Sequence, residues 1–97
     1  MKAIVIEVVV PIREYVVDLL EKESFSVDQT DNGTIGLELV NKNDYQLVVT
    51  NVWLEELSGS MMIRKIRAEG INCPILIHSA RMCWFDVIEG YMTGADD

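Results

Sequence analysis

Side chains able to do chemistry fall in three short stretches of this 97-residue chain: Glu7 to Val10, Asn51 to Glu55, and Ser79 to Met82. Each follows an apolar run rich in β-branched residues, so each is expected just beyond the C-terminal end of a buried strand. They bring a carboxylate, an amide and a hydroxyl to three strand ends. The other reactive types point elsewhere. His78 alternates away from Ser79 and reads as a structural histidine on the sheet face. Cys73 and Cys83 form neither a disulfide framework nor a paired metal spacing, and neither has an activating neighbour. They read as reduced, inert thiols of a cytosolic protein.

The elements that must position these residues are legible in the hydrophobic pattern. Ala3 to Glu7 reads as a strand covered on both faces, and Pro11 suits the first turn of a helix. Ile12, Tyr15, Val16, Leu19 and Leu20 give that helix an inner face, with Arg13, Glu14, Asp18, Glu21 and Lys22 on the other. Phe25 and Val27 alternate with polar residues as a short strand. Asp31-Asn32-Gly33 is a turn leading into a helix that carries Leu37, Leu39 and Val40 and ends near Lys42. Leu47 to Asn51 is a second buried strand. After a loop over Glu55 to Gly59, Ser58 is placed to cap a helix with Met62, Ile63 and Ile66 inside. Gly70 stops that helix, and Pro74 opens a third buried strand, Ile75 to Ser79. Met82 to Met92 reads as a last helix. Four alternations of strand and helix imply right-handed βαβ units on a parallel sheet, with the functional crevice at the strand C-terminal ends.

Composition narrows the function classes. Sixteen acidic and eight basic residues give a formal charge of −8. Such a chain repels phosphate backbones and anionic lipid, which argues against nucleic acid and membrane as partners. The apolar start Met1 to Val10 is interrupted by Glu7 and closed by Pro11, so it reads as a strand and not a signal peptide; it is also too short to span a bilayer. Residues 1–97 are expected to form a single domain. With 49% apolar residues and a mean hydropathy of +0.18, disorder is excluded and some apolar surface is expected to need a partner.

With these elements in place, the chain resembles the receiver domain of two-component response regulators. Ile6-Glu7 with Pro11-Ile12-Arg13-Glu14, Asp44 to Val49, and Leu54 to Gly59 carry the resemblance. So do Ile66 to Gly70, Pro74 to Arg81, and Gly94 to Asp97. Trp84, Asp86 and Gly90 make it most similar to the branch with a winged-helix DNA-binding domain downstream. The resemblance implies a flavodoxin-like three-layer α/β/α sandwich with a parallel sheet in the order 2-1-3-4. The positions of a fifth strand and fifth helix fall beyond Asp97, so the domain reads as C-terminally truncated.

The resemblance also implies a chemistry: phosphoryl transfer from a histidine kinase to an aspartate, with Mg²⁺ held by an acidic pair and a hydroxyl and a lysine completing the clamp. Carried over by position, the acceptor falls on Asn51, the acidic pair on Glu7 and Val8, and the switch hydroxyl on Ser79. The lysine position lies beyond Asp97. An amide is a very poor nucleophile, and one carboxylate is a poor anchor for Mg²⁺. The expectation is therefore no cofactor and no enzymatic activity, with the metal site lost. Val8-Val9-Val10 has two readings, a strand extension into the core or an apolar plug in the acid pocket. Glu55 and Glu56 read as solvated loop charges.

The last helix is apolar nearly all round. Met82, Phe85, Val87 and Met92 form a candidate interface, and with an open sheet edge they imply a homo-oligomer. The reading is a cytoplasmic, atypical receiver that signals through protein–protein contacts. Its rivals are a switch using Ser79 or a loop carboxylate as acceptor, a small-ligand module, and an altered or shortened version of an ordinary phospho-accepting, DNA-binding transcriptional regulator.

Overall fold

A computed structural model describes residues 1–51, 54 and 57–78. Among these residues four strands and three helices alternate in the order β1 (Lys2–Ile6), α1 (Val10–Lys22), β2 (Ser26–Thr30), α2 (Gly33–Lys42), β3 (Leu47–Asn51), α3 (Gly59–Ala68) and β4 (Ile75–His78). The sheet is parallel throughout and runs β2-β1-β3-β4, the expected order. Ser79, the proposed helix from Met82 to Met92 with its candidate interface, and Cys83, Glu55 and Glu56 lie outside the described residues.

The two-residue period of the strands sorts the core into two layers. Ile4 and Ile6 of β1 and Val48 of β3 pack with Val40 of α2 and Met62, Ile63 and Ile66 of α3, all buried. Val5 and Val49, the residues between, pack with Val17 of α1. This double covering explains why the central strands read as continuous apolar runs.

Helix boundaries follow local chemistry. Asn32 caps α2 through a hydrogen bond from the Ile35 N–H at 3.0 Å, and Ser58 caps α3 through one from the Met61 N–H at 3.2 Å. Gly70, with φ +80°, ends α3 in a paired closure: its N–H donates to the Arg67 carbonyl, and the Ile71 N–H donates to that of Ile66. Arg67 then donates from Nη1 to the Ile71 and Cys73 carbonyls, leading the chain into β4. At the start of α2, a Cβ on Gly33 would collide with the Leu57 carbonyl, so only glycine lets the loop before α3 close on this helix.

Three expectations are corrected. The buried stripe of α1 centres on Val17, flanked by Val16 and Leu20, while Tyr15 and Leu19 are 57% and 48% exposed. Arg13, expected on the solvent face, is half-buried because its guanidinium bonds to the strand ends, which turns Tyr15 and Leu19 outward. β2 extends to Thr30, beyond its apolar residues, because Asp28, Gln29 and Thr30 pair in register with Ile4, Val5 and Ile6. Being at the sheet edge, this strand needs pairing on one side only and tolerates polar residues. β1 stops at Ile6, and Val9 is the N-cap of α1, so Val9 and Val10, 43% and 48% exposed, neither extend the strand nor plug a pocket.

At the opposite end of the sheet from the crevice, Tyr45 donates its hydroxyl to Asp28 at 2.6 Å, linking the β3 approach to β2. Burial, and then the acceptor carboxylate and its charge, hold this phenol well above its ordinary range. Lys2 Nζ lies 5.3 Å from the Tyr45 ring centroid and 3.5 Å from the Asp28 carboxylate.

Candidate functional site

The parallel register builds the site. Ile6 of β1 stands opposite Thr50 of β3, so the next rung brings Glu7 against Asn51. On its other side Asn51 pairs with His78 of β4, which leads into Ser79. The sheet therefore brings together two of the expected positions, Glu7 and Asn51, at the C-terminal ends of its central strands. Val8 is half-buried beside them.

Glu7 and Asn51 are buried, at 3% and 5% exposure, and they contact each other directly. Asn51 Nδ2 donates to Glu7 Oε1 at 3.0 Å and to Oε2 at 2.9 Å. Oε2 also accepts from the Val8 N–H at 2.8 Å and, less closely, from the Val9 N–H at 3.4 Å. These N–H groups are exposed by local structure: the chain leaves β1 at Ile6 and enters α1 at Val10, so the turn between has no strand or helix partner for them. A buried carboxylate is costly unless it is hydrogen-bonded, and charge-assisted bonds of this kind are the strong ones.

Further ties fix the frame. The Glu7 N–H donates to the Thr30 carbonyl at 3.0 Å, and Arg13 Nη1 donates to the Glu7 carbonyl at 2.8 Å while its Nε donates to Gln29 Oε1 at 3.2 Å. Thr50, fully buried, donates from Oγ1 to the Asn51 carbonyl at 3.1 Å. Beneath α1, a cavity of about 10 Å³ is bordered by Ile12, Val16, Val49 and Glu7; it has room for roughly one water molecule and no larger ligand.

The direct amide–carboxylate contact and the role of Arg13 were not read from the sequence. A signal for the first existed: an acid and an amide that end neighbouring parallel strands must meet. No comparable signal marks Arg13, whose position in a helical stripe read as solvent-facing.

Chemically, a carboxamide at the β3 end has no nucleophilic oxygen anion to attack phosphorus. The Mg²⁺ implied by the resemblance requires near-octahedral oxygen ligands at about 2.0–2.1 Å. Here the oxygens of Glu7 are faced by N–H donors, and the neighbouring Val8 contributes an amide hydrogen where an oxygen ligand is needed. This donor set does not fit the ion.

Comparison with known proteins agrees with the fold. Residues 3–97 match the response regulator receiver domain family. The chain is 34% identical over 97 residues to the two-component response regulator PhoP of Pseudomonas aeruginosa, and 32% identical over 97 residues to the transcriptional regulatory protein DltR of Streptococcus agalactiae. Each alignment takes in all of this chain and 43% of the relative, so the chain spans less than half the length of these regulators. Among solved structures, the receiver domain of the Francisella response regulator 1452 superposes with a TM-score of 0.90 at 27% identity, covering 99% of this chain and 79% of that one. The Vibrio cholerae chemotaxis protein CheY4 superposes at 0.88 with 20% identity, covering 97% and 80%, and bears on the flavodoxin-like fold alone. The match over residues 3–97, on a doubly wound sheet in the order β2-β1-β3-β4 with its candidate site at the C-terminal ends of β1 and β3, makes this chain a member of the response regulator receiver domain family.

Proposed function

We propose that this receiver domain passes on its signal through protein–protein contacts and does not accept a phosphoryl group at the β3 end. The observation that carries the reading is the Asn51 carboxamide, buried at that end and hydrogen-bonded to both oxygens of Glu7. A group without a free anionic oxygen does not form an acyl phosphate, and the Asn51 amide and the Val8 and Val9 N–H groups already donate to the Glu7 carboxylate. The domain is accordingly a non-enzymatic, atypical receiver. Its upstream partner is a histidine kinase, or a protein that docks in the same way, and its setting is the cytoplasm. The relatives include the transcriptional regulatory protein DltR and the two-component response regulator PhoP, which supports a place in a longer regulator of that kind.

Self-association belongs to the same reading. β4 stands at the end of the described sheet with Leu76 37% exposed, and Tyr15 and Leu19 add exposed apolar surface on α1. Sedimentation at micromolar concentrations is expected to give a dimer or larger mass, and a strictly monomeric mass counts against it.

Fluorine NMR in the presence of beryllofluoride and Mg²⁺ tests the phosphoryl reading. No bound fluoride resonance is expected. A stoichiometric bound species would overturn it.

A further inference from the structure

We propose that the Asn51 amide and the turn N–H groups of Val8 and Val9 are a built-in replacement for a cation. On this view the pocket is complete without any divalent metal, and one change at Asn51, from amide to carboxylate, makes the domain cation-dependent. The inference rests on the reading above, since it explains what the pocket does in place of phosphoryl chemistry.

The argument begins with charge. Glu7 is 3% exposed, and a carboxylate so far from water must be compensated. Compensation comes as hydrogen-bond donors: Asn51 Nδ2 at 2.9 and 3.0 Å, the Val8 N–H at 2.8 Å and the Val9 N–H at 3.4 Å. A cation approaching Oε1 and Oε2 would have to take the place of Nδ2, which lies within 3.0 Å of both. The orientation of the amide follows from the same charge. With Oδ1 turned inward, an acceptor would face two acceptors at about 3 Å, and the donor bonds would be lost. The turn N–H groups are fixed by the backbone between β1 and α1, and Nδ2 is fixed by β3. The amide thereby ties the C-terminal ends of β1 and β3, 44 positions apart, with no exogenous group.

An aspartate at position 51 reverses this. Two carboxylates would lie about 3 Å apart in a buried site, where both cannot remain charged without a proton or a cation between them. Their oxygens would then form the beginning of the hard-ligand set that the present pocket lacks.

Thermal unfolding followed by circular dichroism, in EDTA and in millimolar Mg²⁺, tests the proposal on the whole chain, with calorimetric Mg²⁺ titration alongside. The wild-type midpoint is expected to be the same in both buffers, with no saturable heat of binding. Asn51→Asp is expected to melt on the order of 10 °C lower in EDTA and to regain at least half of that loss with Mg²⁺. Asn51→Ala is expected to melt lower in both buffers without a metal response, since it loses the donor and adds no ligand. Saturable Mg²⁺ stabilisation of the wild type overturns the inference, as does an Asn51→Asp midpoint equal in the two buffers. If Asn51→Asp does not fold in EDTA, folding on addition of Mg²⁺ supports the proposal, and failure to fold in both buffers overturns it. A wild type that binds Mg²⁺ but takes up no beryllofluoride defeats this inference alone, whereas a beryllofluoride adduct defeats the functional reading itself.

Discussion

Consider replacing Asn51 with leucine, a side chain of similar shape that has no donor. The substitution removes the two contacts from Nδ2 to the Glu7 carboxylate and leaves a 3%-exposed group two donor bonds short. A hydrogen bond to a charged group is worth about 1.5–3 kcal/mol, and a buried group left short of partners incurs its desolvation cost as well. Asn51→Leu should therefore cost roughly 2–4 kcal/mol, which for a chain of this size lowers the melting midpoint by about 10–20 °C. Glu7→Met should cost a similar amount, because it removes the carboxylate that accepts from Asn51 Nδ2 and from the Val8 N–H. The double variant decides the matter. With both partners apolar, the unmet amide and the unmet carboxylate disappear together, so the double variant should be more stable than the sum of the single losses by about 1–3 kcal/mol. Urea unfolding of the four proteins, monitored by circular dichroism, measures this coupling. Single losses that add to within about 0.5 kcal/mol would refute the direct contact as a source of stability.

Gly33→Ala should destabilise by about 1–3 kcal/mol, since the new methyl meets the backbone carbonyl of Leu57; Gly36→Ala should cost less, since its methyl meets side chains alone, Ile6 and the Met62 sulfur, and gains helix propensity. Equal losses in chemical denaturation would contradict the close approach of α2 to the loop before α3. Ser60→Ala should stabilise by about 1 kcal/mol, because the 4%-exposed Ser60 hydroxyl has no hydrogen-bond partner among the described residues; a loss of stability would show that it has one. The raised Tyr45 phenol gives a pH signature: the folded state holds this proton more tightly than the unfolded chain, so its contribution is full below about pH 10 and is lost as pH rises above it. The stability advantage of the wild type over Tyr45→Phe should therefore shrink above about pH 10, and an advantage that grows there would be contrary to the assignment.

Much of the architecture was legible in the sequence because the central strands are covered on both faces. Ala3 to Glu7, of which the strand takes all but Glu7, and Leu47 to Asn51 can be read as buried strands without knowing what covers them, and Asn32, Ser58 and Gly70 mark helix ends by local chemistry alone. The edge strand was harder. Asp28, Gln29 and Thr30 are held by pairing with β1 and carry no apolar signature of their own. The α1 face was misjudged by one step because Tyr15 and Leu19 have the same period as Val16 and Leu20, and the half-buried Arg13 tips the balance through bonds to Glu7 and Gln29. At the site, the positions of Glu7 and Asn51 could be inferred from strand order, while their mutual contact depends on register and side-chain orientation across 44 positions.

The measurement that bears most directly on the central claim is intact mass after incubation with acetyl phosphate and Mg²⁺, with the Val8→Asp/Asn51→Asp double variant as a comparison. The account predicts no change in mass for the wild type and a phosphoryl adduct on the double variant, where a nucleophilic carboxylate and a second acid at the pocket are both supplied. A stoichiometric phosphoryl adduct on the wild-type chain would contradict it.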